Sequence, residues 1–330
     1  MGGGRVIRRV LAVFEPFILM LLGTVVLASV LPPRGAFAPV ASAAATVGIV
    51  VLFFLHGAKL SRAALIDGVR QWRLHAAVLA ITFLVFPLLG LLLAGALSGP
   101  VATGLLFLTL LPSTVQSSIA FTAIARGNVA AAVCSASFSN LLGILATPLL
   151  VALLMDQAGA GVSAASVEAI VLHLLLPFAA GHLLRPWIGA WVTRQRRLLS
   201  LVDRGSILLV VYTAFGAAVV EGLWRRVSPG DLAVITGLCC LLLTLVLLIT
   251  LLAGRAMRLR REDAVVLLFC GSKKSLASGV PMAGVLFPAA QVGIVLLPVM
   301  IFHQIQLVAC AMIARRWGAA ADSGTGGEAP

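Results

Sequence analysis

The chain is 330 residues long, 61% hydrophobic and 11% charged, and its 24 Lys+Arg against 11 Asp+Glu give a formal net charge of +13. Soluble domains carry roughly 25% charged residues and cannot bury so many long apolar runs, so the composition excludes a soluble globular protein and describes a polytopic membrane protein. The basic residues sit in short clusters between apolar runs, a pattern of membrane topology and not of nucleic-acid binding.

The N-terminus, MGGGRVIRRVLAVFEPFILM, has the basic start and apolar middle of a signal peptide. Its apolar run of about 17 residues is longer than a usual signal core and reads as a first membrane span. A bilayer crossing takes about 20 apolar residues, and ten segments meet that measure: 12–31, 38–56, 74–97, 101–122, 128–154, 165–184, 205–223, 231–254, 263–287 and 291–314. With the N-terminus inside, nineteen of the 24 Lys+Arg fall on inside segments and three, Arg34, Arg225 and Arg226, fall outside. The other two are Lys273 and Lys274. This bias places both termini in the cytoplasm and the chain in the cell inner or plasma membrane. The end of the chain, GAAADSGTGGEAP (318–330), is small and polar and reads as a disordered tail. The five cysteines, Cys134, Cys239, Cys240, Cys270 and Cys310, lie inside apolar runs without a C-x-x-C pair and read as packing residues.

Ten spans divide into five and five, and an odd number per half turns the halves over relative to each other. The expected fold is therefore an all-α integral membrane protein of ten transmembrane helices in two inverted five-helix repeats, 10–154 and 165–315. Internal symmetry supports it. Span 4 is interrupted by LPSTVQSSIAFT (111–122) and span 9 by CGSKKSLASG (270–279). In span 5, Asn140 follows Asn128 by twelve residues, and in span 10, His303 follows Gln291 by twelve. Pro, Gly and hydroxyls loosen a membrane helix only where protein or a watery cavity re-satisfies its backbone. Two such helices crossing at mid-depth present N–H groups to anions and carbonyls to cations.

Lys273 lies about eleven residues from Glu262, roughly 16 Å along a helix and about halfway through a ~30 Å core. A central lysine costs about 2.5–3.5 kcal/mol on insertion scales, which makes it a functional candidate. The alternative is structural: a lysine bonding carbonyls of the broken helix opposite. Lys273, Lys274, Ser272, Ser275, Asn140, His303 and Gln306 form the candidate substrate-binding set. The polar residues of this set could equally bond neighbouring helices. Ser135, Ser137 and Ser139 are expected to bond the carbonyls four residues before them. His173 and His182 read as packing or edge residues.

The order of spans and the motifs LPSTVQSSIAFTAIARGNVAAAV (111–133), CGSKKSLASGVP (270–281) and FHQIQ (302–306) resemble the bile acid:sodium symporter family, in its divergent branch of sodium-dependent transporters. The resemblance covers about 10–315. It implies a panel of spans 1, 2, 6 and 7 and a core of spans 3–5 and 8–10. Helices 4 and 9 would cross, with the solute bound near the crossing and sodium driving the cycle. It further implies a cation-binding set of Ser113, Thr114, Gln116, Ser117, Ser118 and Thr82. The sequence departs from the family where the family's sodium-binding glutamate falls near Phe269 and its glutamine near Lys273 or Lys274. An acid is lost and a cation gained. A positive charge 4 Å from a sodium ion repels it by about 4 kcal/mol at an effective dielectric of ~20.

The expected function is a non-enzymatic secondary transporter of a small anionic solute, working in a lipid bilayer by alternating access, with sodium as a possible bound ion and no other cofactor. Alternatives are a proton-coupled or sodium-independent transporter or exporter of another solute, and a transport-inactive regulatory membrane protein. An intramembrane protease reading rests on LASG (276–279) and His303, but Leu276 stands where the serine motif of rhomboid proteases has Gly.

Overall fold

The computed structural model describes residues 16–59, 71–95, 100–155 and 168–324. The expectations placed on Arg5, Arg8, Arg9, Arg62 and Arg70, and on 325–330, lie outside these residues. Every regular element within them is helical, and no strand occurs among the described residues. In hydrocarbon each backbone N–H and C=O must find a partner within the protein, and a helix supplies most of them from its own segment.

In chain order the helices are α1 (Pro16–Val30), α2 (Phe37–Lys59), α3 (Trp72–Ala94), α4 (Pro100–Leu110), α5 (Gln116–Ile124), α6 (Val129–Met155) and α7 (Glu168–Arg194). There follow α8 (Arg196–Val220), the single turn α9 (Leu223–Arg226), α10 (Pro229–Ala256), α11 (Arg261–Gly271), α12 (Leu276–Leu286) and α13 (Ala289–Gly324). Seven of them, α2, α3, α6, α7, α8, α10 and α13, are long and apolar enough to cross a membrane by length and composition. Shorter apolar helical stretches lie at Leu19–Val30 and Val101–Leu110. The chain is a multi-pass membrane protein.

Two stretches differ from expectation. Residues 185–204, read as an inside loop, are helical on both sides of Gln195, because α7 continues to Arg194 and α8 begins at Arg196. Arg and Leu are good helix formers, and arginine stems can lie along apolar surface with their heads in water. The supposed disordered tail is helical as far as Gly324, since the alanines after Trp317 carry α13 onward.

The described helices fall into two compact units. The first gathers α1, α2, α7, α8, α9 and the stretch Ala283–Ile294. Its α2 and α7 approach backbone to backbone: a Cβ on Gly57 would strike the Phe178 carbonyl, and one on Gly181 the Phe54 carbonyl. Such small-residue contacts substitute in lipid for a hydrophobic driving force. Lys59 pairs with Asp203 across α2 and α8. The second unit holds α3–α6, α10, α11, the start of α12 and the rest of α13. Within it α3 widens into a π segment at Ile81–Val85, where the Phe86 N–H reaches back five residues to the Ile81 carbonyl. The next donor in that ladder would aim at Thr82, but residue 87 is proline and has none. The Thr82 carbonyl thereby lacks that backbone donor.

Candidate functional site

The site is built in the second unit from two helix breaks. Between α4 and α5 stand residues 111–115, where Pro112 removes a donor and disfavours helical backbone at Leu111. Between α11 and α12 stand residues 272–275, without a proline. There the chain is diverted by Gln306 of α13, whose Oε1 accepts from the Lys274 N–H at 2.9 Å and whose Nε2 donates to the Lys274 carbonyl at 2.9 Å.

A helix end exposes its last carbonyls, and burial obliges each to find a donor. At the end of α4, Leu110 O accepts from Thr147 Oγ1 at 2.7 Å, Pro112 O from the Ser275 N–H at 2.8 Å, and Ser113 O from Asn140 Nδ2 at 2.9 Å. Thr109 O and Leu111 O both accept from Lys274 Nζ at 2.7 Å. At the end of α11, Leu268 O accepts from Ser272 Oγ at 2.6 Å, Phe269 O from Ser118 Oγ at 2.9 Å, and Cys270 O from Ser113 Oγ at 2.6 Å. Ser275 and Lys274 of one break and Ser113 of the other donate across to the opposite helix end, while α6 supplies Thr147 and Asn140.

The two lysines are buried, with exposures of 0% for Lys273 and 1% for Lys274. Lys274 Nζ makes three bonds, to Thr109 O, Leu111 O and, at 2.8 Å, the Thr82 carbonyl freed by Pro87. An ammonium has three N–H donors, so all are used. The Phe86 ring lies 4.1 Å from the nitrogen and closes the cage. Lys273 Nζ donates to Ser117 Oγ at 3.2 Å and rests 4.4 Å from the Phe121 ring centroid, with Phe269 behind it at 5.8 Å. Neither lysine has a carboxylate partner among the described residues.

Most of the expected site residues come together here. Ser113, Thr114, Ser117, Ser118, Thr82, Asn140, Ser275, His303 and Gln306 share one hydrogen-bonded neighbourhood with the lysines. Ser275 is the cap of α12, its Oγ accepting from the Ser278 N–H at 3.1 Å, while Ser278 Oγ donates to Asn140 Oδ1 at 3.0 Å. His303 Nδ1 lies 2.9 Å from Gln306 Nε2. Ser272 is turned back onto its own helix, and Gln116 is exposed with no side-chain hydrogen bond among the described residues. Ser135 and Ser139 do not bond carbonyls four residues back, as expected, but serve other segments: Ser135 bonds His75 at 2.7 Å and Ser139 accepts from the Ser113 N–H at 2.9 Å. The break opposite offers a donor that no helix ladder satisfies. Thr109, Thr147, Phe86 and Phe121 were not foreseen. For the two phenylalanines the signal was one aromatic among many, and for Thr109 a backbone carbonyl that any residue possesses.

Sodium fits this donor set poorly. The carbonyls of Thr82, Thr109 and Leu111 are bonded to the Lys274 ammonium, whose charge opposes a second cation among them. Thr82 Oγ1 bonds Val78 O at 2.8 Å. No group of three or more His, Cys, Asp or Glu is placed to hold a metal among the described residues.

The chain is 51% identical over 309 residues to the Escherichia coli (strain K12) protein named "Putative symporter YfeH", covering 92% of this chain and 93% of that one. It is 55% identical to the Pseudomonas aeruginosa protein "Uncharacterized protein PA2026", covering 92% of each. It is 23% identical over 269 residues to sodium/bile acid cotransporter 7 of Rattus norvegicus, covering 79% of each. The family model for the SBF-like CPA transporter family matches residues 15–319, nearly the whole described chain, and the protein belongs to that family of transporters.

Proposed function

We propose that this protein is a secondary active transporter of a small organic anion, with Lys273 as the charge that receives the solute. One observation carries the reading: Lys273 is a buried ammonium with a single hydroxyl partner and no carboxylate among the described residues. Buried charges are ordinarily paired, and intramembrane ones mark solute or ion pathways. Lys274 is satisfied by carbonyls, so the unspent donors belong to Lys273. Ser117 bonds Lys273 directly, and Ser117, Asn140 and His303 are partly exposed polar groups of the same neighbourhood. The relatives' names, a symporter and a sodium/bile acid cotransporter, support solute coupling, and bile acids are organic anions.

The full arrangement is ten spans in two inverted halves, 10–154 and 165–315, with both termini cytoplasmic in the cell inner or plasma membrane. Transport proceeds by alternating access, the two compact units being the moving bodies.

The test is thermal unfolding of the purified protein against organic carboxylates, sulfonates and phosphates, with taurocholate as the bile-acid member. A ligand at 100 times its dissociation constant adds about 2.7 kcal/mol to stability. Lys273→Met should keep the fold and lose that gain. A Lys273→Met protein with the wild-type anion response would sink the assignment.

A further inference from the structure

We infer that the Lys274 ammonium is a tethered monovalent cation, filling from within the chain a carbonyl cage that would otherwise need a free alkali ion. Three carbonyls, one from α3 and two from the end of α4, converge on Nζ at 2.7–2.8 Å. Convergent carbonyl oxygens are the donor set of a hard monovalent cation, as in cation-selective pores. The cage is sealed by the Phe86 face and is 1% exposed at the lysine. Its formation needs three sequence features outside the lysine. Pro87 frees the Thr82 carbonyl. Gly90 lets α4 come close, since a Cβ there would strike the Thr109 side chain. Gln306 holds the Lys274 backbone so that its side chain points inward. Three acceptors around one nitrogen call for three N–H groups, which the ammonium has and the neutral amine lacks. At this cage the lysine stands where a free sodium ion would otherwise sit and holds the broken helices together in its place. The inference goes beyond the anion reading and does not depend on it, because its readout is stability without any anion solute.

The experiment is thermal unfolding of the purified full-length protein at fixed ionic strength, exchanging choline chloride for sodium or potassium chloride. The wild-type midpoint should be the same in all three salts. Lys274→Ala should unfold at a lower temperature in choline and regain most of the loss in ethylammonium, and part of it in sodium or potassium. Lys274→Met, which fills the lysine stem's volume and plugs the cage, should be destabilised and respond to none of them. A saturable, sodium-specific rise in the wild-type midpoint would overturn the inference, as would a Lys274→Ala protein indifferent to every cation. If Lys274→Ala is lost during extraction in choline, its recovery with ethylammonium present supports the cage, and failure with all cations overturns it.

Discussion

Lys273 and Lys274 leave the α11–α12 break in different directions, one toward Phe121 and Ser117, the other into the carbonyls of Thr82, Thr109 and Leu111. Gln306 enforces the break with two bonds to one residue's backbone. Replacing Gln306 with Leu would strand a buried N–H and a buried carbonyl, each worth about 1–3 kcal/mol. Gln306→Leu should therefore lower stability by about 2 kcal/mol or more, read by denaturant unfolding in detergent, while Gln306→Glu, which keeps the acceptor, should lose less. Much of this was legible in the residues. A lysine pair in a serine-rich break, with a glutamine in the following span, already marked the site. Which lysine meets carbonyls is not legible, because a carbonyl carries no residue-type signature and its availability is decided by helix geometry in α3 and at the end of α4.

Among the helices, α3 carries a consequence out of proportion to its plain sequence. Its π segment and Pro87 together release one carbonyl, and both escape a hydropathy reading because Ile81–Val85 is as apolar as its neighbours. Proline inside a helix ordinarily costs about 3 kcal/mol, so Pro87→Ala should stabilise a simple helix. Here the new N–H would compete with Lys274 for Thr82. Pro87→Ala is expected to leave the unfolding midpoint unchanged or lower, and a gain equivalent to about 3 kcal/mol would refute the coupling of α3 to the cage. Helix ends offer a cleaner case. Arg258 follows α10 in the left-handed region, φ 51°, with Leu259 N–H bonded to Gly254 O at 3.0 Å. Glycine prefers that conformation, and a side chain there costs roughly 1–2 kcal/mol. Arg258 is exposed, so Arg258→Gly should raise stability by up to about 1 kcal/mol in the same unfolding measurement. The interrupted helices themselves were visible beforehand through Pro112 and the two hydroxyl clusters. The helical continuation through 185–204 was not, since hydropathy marks where apolar surface ends and not where the backbone ladder ends.

For the whole molecule, the distribution of charge is the informative feature. In the proposed ten-span topology Arg and Lys gather on alternate connections with both ends inside, so a fluorescent protein fused after residue 330 should glow while an alkaline phosphatase fused there stays inactive. Active phosphatase would reverse the proposed orientation. The described residues carry few acids to balance these charges, and Lys274 has none beside it. Its caged charge belongs to one unit of the protein, and in a transporter that works by moving one body against another it travels with that body. A membrane potential acts on an elementary charge with about 2.3 kcal/mol per 100 mV over the full field. The unloaded carrier should then perform electrical work whenever it reorients, while an anion bound at Lys273 would cancel part of the moving charge. Transient currents on solid-supported membranes should differ in size between loaded and unloaded protein, making the carbonyl cage, in effect, a gating charge.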